Sequence, residues 1–504
     1  MQSRRRVGRA LRTTVVGLAC AALVTTVVVA GGAVPPAGAR GTLGWQRCGD
    51  GLECARLDVP VDRRVPDGEQ VSLALIRAPA RDRSRRIGSL VVNYGGPGDA
   101  GTQTLPLALD EIPAEIRDRF DIVSFDPRGT GGSRALDCVD DAASDTLASE
   151  DPTPDDLGEL VRFFTGESSS VDVVGACVAR YGSWLAAVGT RNVARDLDRI
   201  RIALGEERLD FLGYSYGTVL GAVYAQEFPD HVRTMVLDGA VDLSATPAED
   251  QAANAAGFEH ALDQFLDWCA NTRTCAFRSG GDPRAALTRL RDRFEQGLTV
   301  PVRGGRRAVV TSFYVALLAS LYDRSQGWPT LAAALQGVDD GDGTGLQILA
   351  DAFLGRDANG HHDALQEAIG PIRCADRPAP IVAFPEYRAG FEDAVRRYPF
   401  FGALVGSIQS GCDPRLPAPD PADLLGDVTA APRAPVLVIG TTGDPATPYV
   451  GATDLQRRIT GSRLLTYEST EHSAYGRGVA CIDDAVDHYL ITTKLPPRRS
   501  RCTA

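Results

Sequence analysis

One stretch of this 504-residue chain constrains the rest, Leu209 to Gly221, reading LDFLGYSYGTVLG. Leu209, Phe211 and Leu212 make a short apolar run suited to a buried strand, and the residues from Thr218 to Gln226 have helical character until Pro229 stops them. Between the two lies Gly213-Tyr214-Ser215-Tyr216-Gly217, a G-x-S-x-G pentapeptide. A strand that turns sharply into a helix leaves its central residue strained, with the side chain standing out above the sheet. A Cβ at either flanking position would strike the neighbouring strand or helix, which explains the glycines. In a chain with 53 Gly the bare pentapeptide arises easily by chance. The strand before it and the helix after it single out Ser215 as a nucleophile.

A serine hydroxyl is weakly nucleophilic at neutral pH and needs a base within hydrogen-bond reach, itself oriented by a carboxylate. On a strand–elbow–helix scaffold the chain order is Ser, acid, His. Asp238 and Asp444 each follow a buried strand downstream of the elbow. Asp238 sits in a Leu-Asp-Gly turn, where capping explains it, so Asp444, in the loop GTTGDPATP, is the expected acid; Thr447-Pro448 there reads as a helix N-cap with Pro first. His472 follows the last apolar strand in STEHSAYG and is the expected base, whereas His231, His361, His362 and His488 lie on turns, in a polar loop or in a helix. Acyl transfer also needs donors for a developing oxyanion. The Tyr216 N–H supplies one, and Gly96, with Gly95 as the alternative, supplies the other from a turn after the first buried strand.

Strand-like runs at 71–76, 88–92, 120–125, 209–212, 234–238, 434–440 and 462–467 alternate with helical stretches. Thr190 reads as the cap of a helix bearing Val193, Leu197, Ile200 and Leu204. This alternation predicts an α/β fold with a doubly wound, mostly parallel sheet. Residues 141–170, acidic and rich in Ser, Thr and Pro, read as a surface excursion. Between Val241 and Ala431 the pattern becomes helical (257–270, 283–296, 311–323, 345–354 and 386–398), which predicts a large cap over the catalytic edge. The expected division is 1–39 leader, 40–242 and 432–504 the two parts of the sheet core, and 243–431 helical cap.

Arg4, Arg5, Arg6, Arg9 and Arg12, then an apolar run from Thr13 to Ala30 and Ala37-Gly38-Ala39, have the layout of an export signal with a cleavage site. A retained anchor is the competing reading; Gly31-Gly32 and Pro35-Pro36 favour cleavage. Export predicts disulfides, and the ten cysteines beyond Cys20 pair most simply as sequence neighbours: 48–54, 138–177, 269–275, 374–412 and 481–502. No C-x-x-C occurs and the chain has only 6 His, so neither a metal nor a cofactor is expected. A net charge of −12 argues against nucleic acid or an anionic membrane as partner.

Taken in order, NYGGPGDAG, DIVSFDPRGTGGS, GYSYGTVLG, GTTGDPATP and EHSAYG resemble the secreted tripeptidyl aminopeptidases of high-GC Gram-positive bacteria, in the prolyl-iminopeptidase branch of the α/β-hydrolases. The resemblance runs from about Cys54 to Cys502. It implies a secreted serine exopeptidase, cell-envelope association left open, that takes short peptides from a free N-terminus, with Ser215, Asp444 and His472 as its triad. Two positions depart from the pattern: Tyr94 stands where the iminopeptidases have His, and Gly132 where Arg or a similar residue is usual.

Three functions compete on these residues. An exopeptidase needs carboxylates for the substrate's ammonium, and the cap offers Glu249, Asp250, Glu259, Asp323 and Asp340. A carboxylesterase or lipase uses the same triad. A non-catalytic envelope-binding protein has no use for an intact triad and oxyanion turn.

Overall fold

The computed structural model describes residues 43–154, 156–406 and 411–503; the leader expected over residues 1–39 lies outside them. Twelve strands occur among the described residues. In chain order they are β1 (Gln46–Gly49), β2 (Leu52–Pro60), β3 (Gln70–Ala78), β4 (Gly88–Asn93), β5 (Phe120–Phe125), β6 (Leu209–Tyr214), β7 (Val232–Asp238), β8 (Val300–Pro301), β9 (Arg307–Ala308), β10 (Leu437–Thr441), β11 (Arg463–Glu468) and β12 (Arg501–Thr503). Ten of them form one sheet in the order β1-β2-β3-β5-β4-β6-β7-β10-β11-β12. From β5 to β12 every neighbouring pair is parallel, and β1, β2 and β3 add an antiparallel edge. The expected α/β architecture is therefore present. Strands β4 and β5 are buried along their whole length, as strands of a parallel sheet covered on both faces are, and their sequences are mostly apolar.

The register places the loops that carry the candidate residues. Asn93 pairs with Gly213 and Tyr214 with Asp238, so β4, β6 and β7 end close together, while Ile439 pairs with Asp238 and Thr441 with Tyr467, so β10 and β11 run a little further. The loops after β4, β6, β10 and β11 leave from this one edge, where ligands bind in open parallel sheets.

Several local expectations differ from the structure. The strand ending at Tyr467 is not the last: β12 adds beside β11, and three residues flanked by charge carry too little apolar pattern to be recognised. Residues 141–170 hold the helices Asp141–Leu147 and Leu157–Thr165, each begun by an aspartate cap, Asp140 and Asp156. The helix Thr190–Ala203 is capped by Gly189, not by Thr190. Pro448, not Thr447, is the cap of Tyr449–Arg458.

Eight helices lie between β7 and β10 among the described residues. Most of them pack around a second apolar cluster, including Phe258, Phe265, Phe313, Trp328 and Phe401, whereas Leu365–Asp376 places Ala368, Ile372 and Ala375 in the cluster of the sheet core. Three were not expected, Gly327–Asp339, Leu365–Asp376 and the short Gly402–Gly406; Pro329 in the first turn of the first and Pro371 inside the second break the apparent periodicity. Among the described residues no helix is long and apolar enough to cross a membrane.

All five disulfides join sequence neighbours as expected: 48–54, 138–177, 269–275, 374–412 and 481–502. The last closes a separation of 21 residues and ties β12 to the helix Ala480–Thr492. Replacing Cys481 and Cys502 together with alanine is expected to lower the unfolding free energy by about 3 kcal/mol. Chemical denaturation of the double variant beside the wild-type protein measures it, and an unchanged midpoint contradicts the assignment of β12 as a stapled edge.

Candidate active site

Strand β6 runs into Ser215, whose φ of 53° is the left-handed conformation rare for a residue with a side chain. Tyr216 and the helix Gly217–Glu227 follow at once. A Cβ on Gly213 would meet the Gly217 carbonyl, and one on Gly217 would lie 2.7 Å from the Asn93 carbonyl, so both glycines are set by close approach. The Ser215 N–H donates to the Asp238 carbonyl (2.9 Å), and the Thr218 hydroxyl donates to the Ser215 carbonyl (2.6 Å). The turn is thus held from both sides.

Asp444 lies three residues past β10 and is buried. Its Oδ1 accepts the N–H groups of Ala446 (2.9 Å) and Thr447 (2.8 Å), and its Oδ2 accepts the Thr447 hydroxyl (2.9 Å). His472 Nδ1 stands 2.9 and 3.0 Å from the two carboxylate oxygens and 3.2 Å from Thr447 Oγ1. The acid therefore fixes the ring by its Nδ1 edge, which leaves Nε2 as the nitrogen able to accept a proton. Among the described hydrogen bonds none joins Ser215 to His472. Both nevertheless lie against the same short segment. Ser215 is bonded to the main chain of Asp238, and a Cβ on the next residue, Gly239, would lie 3.2 Å from His472 Cε1.

Gly95 and Gly96 each have φ of +98°, which an alanine would resist. A Cβ on Gly95 would lie 2.8 Å from the Tyr216 nitrogen, so the turn after β4 presses directly on the elbow. Gly96, Ser215 and Tyr216 line one cleft of about 410 Å³. The D-P-R-G-T-G-G-S run braces that turn. Asp126 accepts the N–H groups of Thr102 (2.8 Å) and Gly132 (2.7 Å), and buried Arg128 forks onto Asp196 (2.6 and 2.7 Å). At Gly132 a Cβ would sit 2.9 Å from Ala74 Cβ, which accounts for the missing side chain. Tyr94 stacks on Tyr214 (centroids 6.0 Å apart), and among the described residues its buried hydroxyl has no partner.

The other histidines are placed elsewhere, His260 within the helix Pro247–Asn271. His231 bonds Asp198 (2.9 Å), His361 and His362 face Asp141 and Asp145, and His488 lies in the helix Ala480–Thr492. Of the acids that the sequence offers between β7 and β10, Glu249 and Asp250 line the cleft. Glu259 instead accepts the N–H groups of Phe400 and Phe401, Asp323 pairs with Arg477, and Asp340 accepts from Gln336.

Sequence reasoning missed three contributors. Thr447 serves the acid rather than a helix. Tyr322, from the cap, sets its ring edge-on to His472 (5.2 Å) and accepts the His472 N–H through its carbonyl (2.9 Å). Asp238 does not cap its own turn: its Oδ2 accepts the N–H groups of Ala474 (2.9 Å) and Tyr475 (2.8 Å), just past the histidine. The D-P-A-T spacing carried a signal for Thr447, since an aspartate commonly binds the backbone two or three residues on. Nothing local could reveal the other two.

A serine on a strained strand-to-helix elbow, with an acid and a histidine in chain order beyond it, defines an α/β-hydrolase. Residues 88–289 match the family model described as alpha/beta hydrolase fold, and residues 398–502 the one described as TAP-like protein. The chain is 38% identical to the serine protease Hip1 of Mycobacterium tuberculosis over 90% of its length and 87% of the relative. It is 36% identical to carboxylesterase B of the same organism (89% and 86% covered). With the tripeptidyl aminopeptidase of Streptomyces lividans it shares 32% identity (92% and 87%). The chain belongs to the TAP-like α/β-hydrolases and is a serine hydrolase.

Burial raises the Asp238 carboxyl to about 6, against the opposing pull of its two backbone donors. An acid whose folded pKa exceeds its unfolded value, near ~3.9, holds its proton more tightly in the native state. That stabilisation is complete below about pH 4 and is lost as the pH climbs through about 6. Asp238→Asn lacks this loss, so its stability relative to wild type should improve between pH 4 and pH 6, by at most about 3 kcal/mol. Thermal unfolding of both proteins across that range measures it; a flat or opposite trend contradicts the assignment.

Proposed function

We propose that this chain is a secreted serine exopeptidase that releases short peptides, tripeptides or similar, from free N-termini by acyl-enzyme chemistry. The observation that carries the reading is an acidic wall in the cleft beside the nucleophile. Asp242, Glu249 and Asp250 line the same cavity as Ser215, with one cation, Arg373, lying 3.7 Å from Asp250. Local bonds engage one carboxylate oxygen of Asp242 (to Ser244) and one of Glu249 (to Thr246). A substrate ammonium is the cation that such a wall attracts. Residues 243–431 act as the cap that places it there, and residues 40–242 and 432–504 supply the catalytic core.

In this reading His472 takes the Ser215 proton through Nε2 while the hydroxyl oxygen attacks the scissile carbonyl. Asp444 holds the imidazole and stabilises its charged form. The N–H groups of Tyr216 and Gly96 receive the oxyanion, which is where most of the rate enhancement of acyl transfer arises. The imidazolium then protonates the departing amine, and water, activated by the same base, frees the peptide from Ser215. The partners are peptides with a free N-terminus. Five disulfides and the basic and apolar leader support export.

A second reading is a secreted carboxylesterase, favoured by the relative of that name. A tripeptide anilide with a free N-terminus, its acetylated form and a p-nitrophenyl ester separate the two. Turnover of the free peptide alone is expected; equal turnover of the acetylated peptide removes the aminopeptidase reading, and turnover of the ester alone favours the esterase. Ser215→Ala should lower the activity by a factor of about 10⁴ or more.

A further inference from the structure

Asp376 ends the helix Leu365–Asp376, among the inserted helices, yet its carboxylate is spent entirely on the core. It is about 1% exposed. Its Oδ1 accepts the Thr190 N–H (2.5 Å), and its Oδ2 accepts the Thr190 hydroxyl (2.6 Å) together with the Tyr216 hydroxyl. Thr190 is the first residue of the helix Thr190–Ala203, so the carboxylate sits over a helix N-terminus, which favours its charge. Gly189, the cap of that helix, makes the room: a Cβ there would lie 3.1 Å from Asp376 Oδ1. Asp376 is itself held at its main chain, where its carbonyl accepts the Leu425 N–H (3.1 Å), and two residues earlier by the Cys374–Cys412 disulfide.

Tyr216 is the residue after the nucleophile. Its backbone and its side chain therefore serve different ends. Tyr216 lines the cleft at the elbow, and its hydroxyl, at the tip of a side chain with two torsions, is bonded to Asp376 at the end of the helix Leu365–Asp376. The Tyr216 Cα is one end of the Ser215–Tyr216 peptide and the bond to Asp376 fixes where its side chain can lie, so a displaced side chain would shift the Cα and the N–H attached to that peptide with it.

We propose that Asp376 is a positioning residue for the oxyanion site, clamping the Tyr216 side chain against Thr190 so that the Tyr216 N–H is aimed before substrate arrives. The inference rests on the reading, given above, that this N–H receives the oxyanion. Removal of a whole oxyanion donor costs about 10²–10³ in kcat, so a donor left in place but loosely aimed should cost less, about tenfold or somewhat more. The clamp would also make the seating of the inserted helices a condition for catalysis, because the same carboxylate belongs to both.

The test uses Tyr216→Phe, Asp376→Asn and the double variant of the full mature protein. The readouts are kcat and KM on a peptide anilide, affinity for a peptidyl boronic acid of the same sequence, and thermal unfolding. The boronate forms a tetrahedral adduct on serine and so reports the oxyanion site, while KM reports the ground state. Expected is a fall in kcat of about tenfold or more, matched by an equal loss of boronate affinity, with KM within about twofold and the double variant no worse than Asp376→Asn. Unchanged kcat and boronate affinity in Tyr216→Phe overturns the proposal, whatever happens to the melting temperature, and decides alone if Asp376→Asn does not fold. A rise in KM with boronate affinity unchanged also overturns it, since the clamp would then shape only the substrate wall. A wild-type protein whose Ser215 is not modified by a fluorophosphonate overturns the catalytic reading and this inference with it, and is distinguishable from the other failures because it appears before any variant is made.

Discussion

A side chain held at φ 53° costs of order 1–3 kcal/mol, and this protein spends its best-buried structure on holding Ser215 there. Strand β6 fixes the residue before, the helix Gly217–Glu227 fixes those after, and the Asp238 carbonyl takes the strained N–H. Everything catalytic is arranged relative to that point. The turn at Gly95 closes on the Tyr216 nitrogen, and the histidine loop is drawn in by the carboxylate of the same Asp238 that anchors the serine. One residue thus touches Ser215 with its main chain and the His472 loop with its side chain.

The inserted helices reach that site at two places. Tyr322 and Asp323 hold the histidine loop, the first through its carbonyl and ring and the second through Arg477, whose guanidinium also donates to the His472 carbonyl. Asp376 holds the far end of Tyr216. Helices attached only to the rim would form a lid; in the proposed mechanism, helices bonded to the loops of both His472 and the elbow belong to the catalytic geometry. The separate apolar core of most of these helices backs the Tyr322 contacts, since a packed interior transmits displacement rather than absorbing it, whereas the helix that ends in Asp376 packs into the sheet core through Ala368, Ile372 and Ala375.

The legible parts of the sequence were those governed by local pattern. Strands β4, β5, β6 and β7 are short, mostly apolar segments, and the elbow, Asp444 and His472 each follow a segment of this kind. Sequence neighbours also sufficed for the five disulfides. The misreadings came where a residue answers to a distant partner. Thr190 has the chemistry of a helix cap, but both its N–H and its hydroxyl are taken by Asp376, 186 positions away. Asp238 has the setting of a turn residue, but it reaches Ala474 and Tyr475, 236 and 237 positions on. Strand β12 is too short to declare itself and exists by pairing with β11 and by its disulfide.

The central claim is that Ser215, His472 and Asp444 act as one relay over the sheet edge. Mass spectrometry of the protein after exposure to a fluorophosphonate tests it most directly. The account predicts one adduct, on the peptide carrying Ser215, forming rapidly in the wild-type protein and at a small fraction of that rate in His472→Ala. An adduct on another residue, or equal labelling of Ser215 with and without the imidazole, would contradict it.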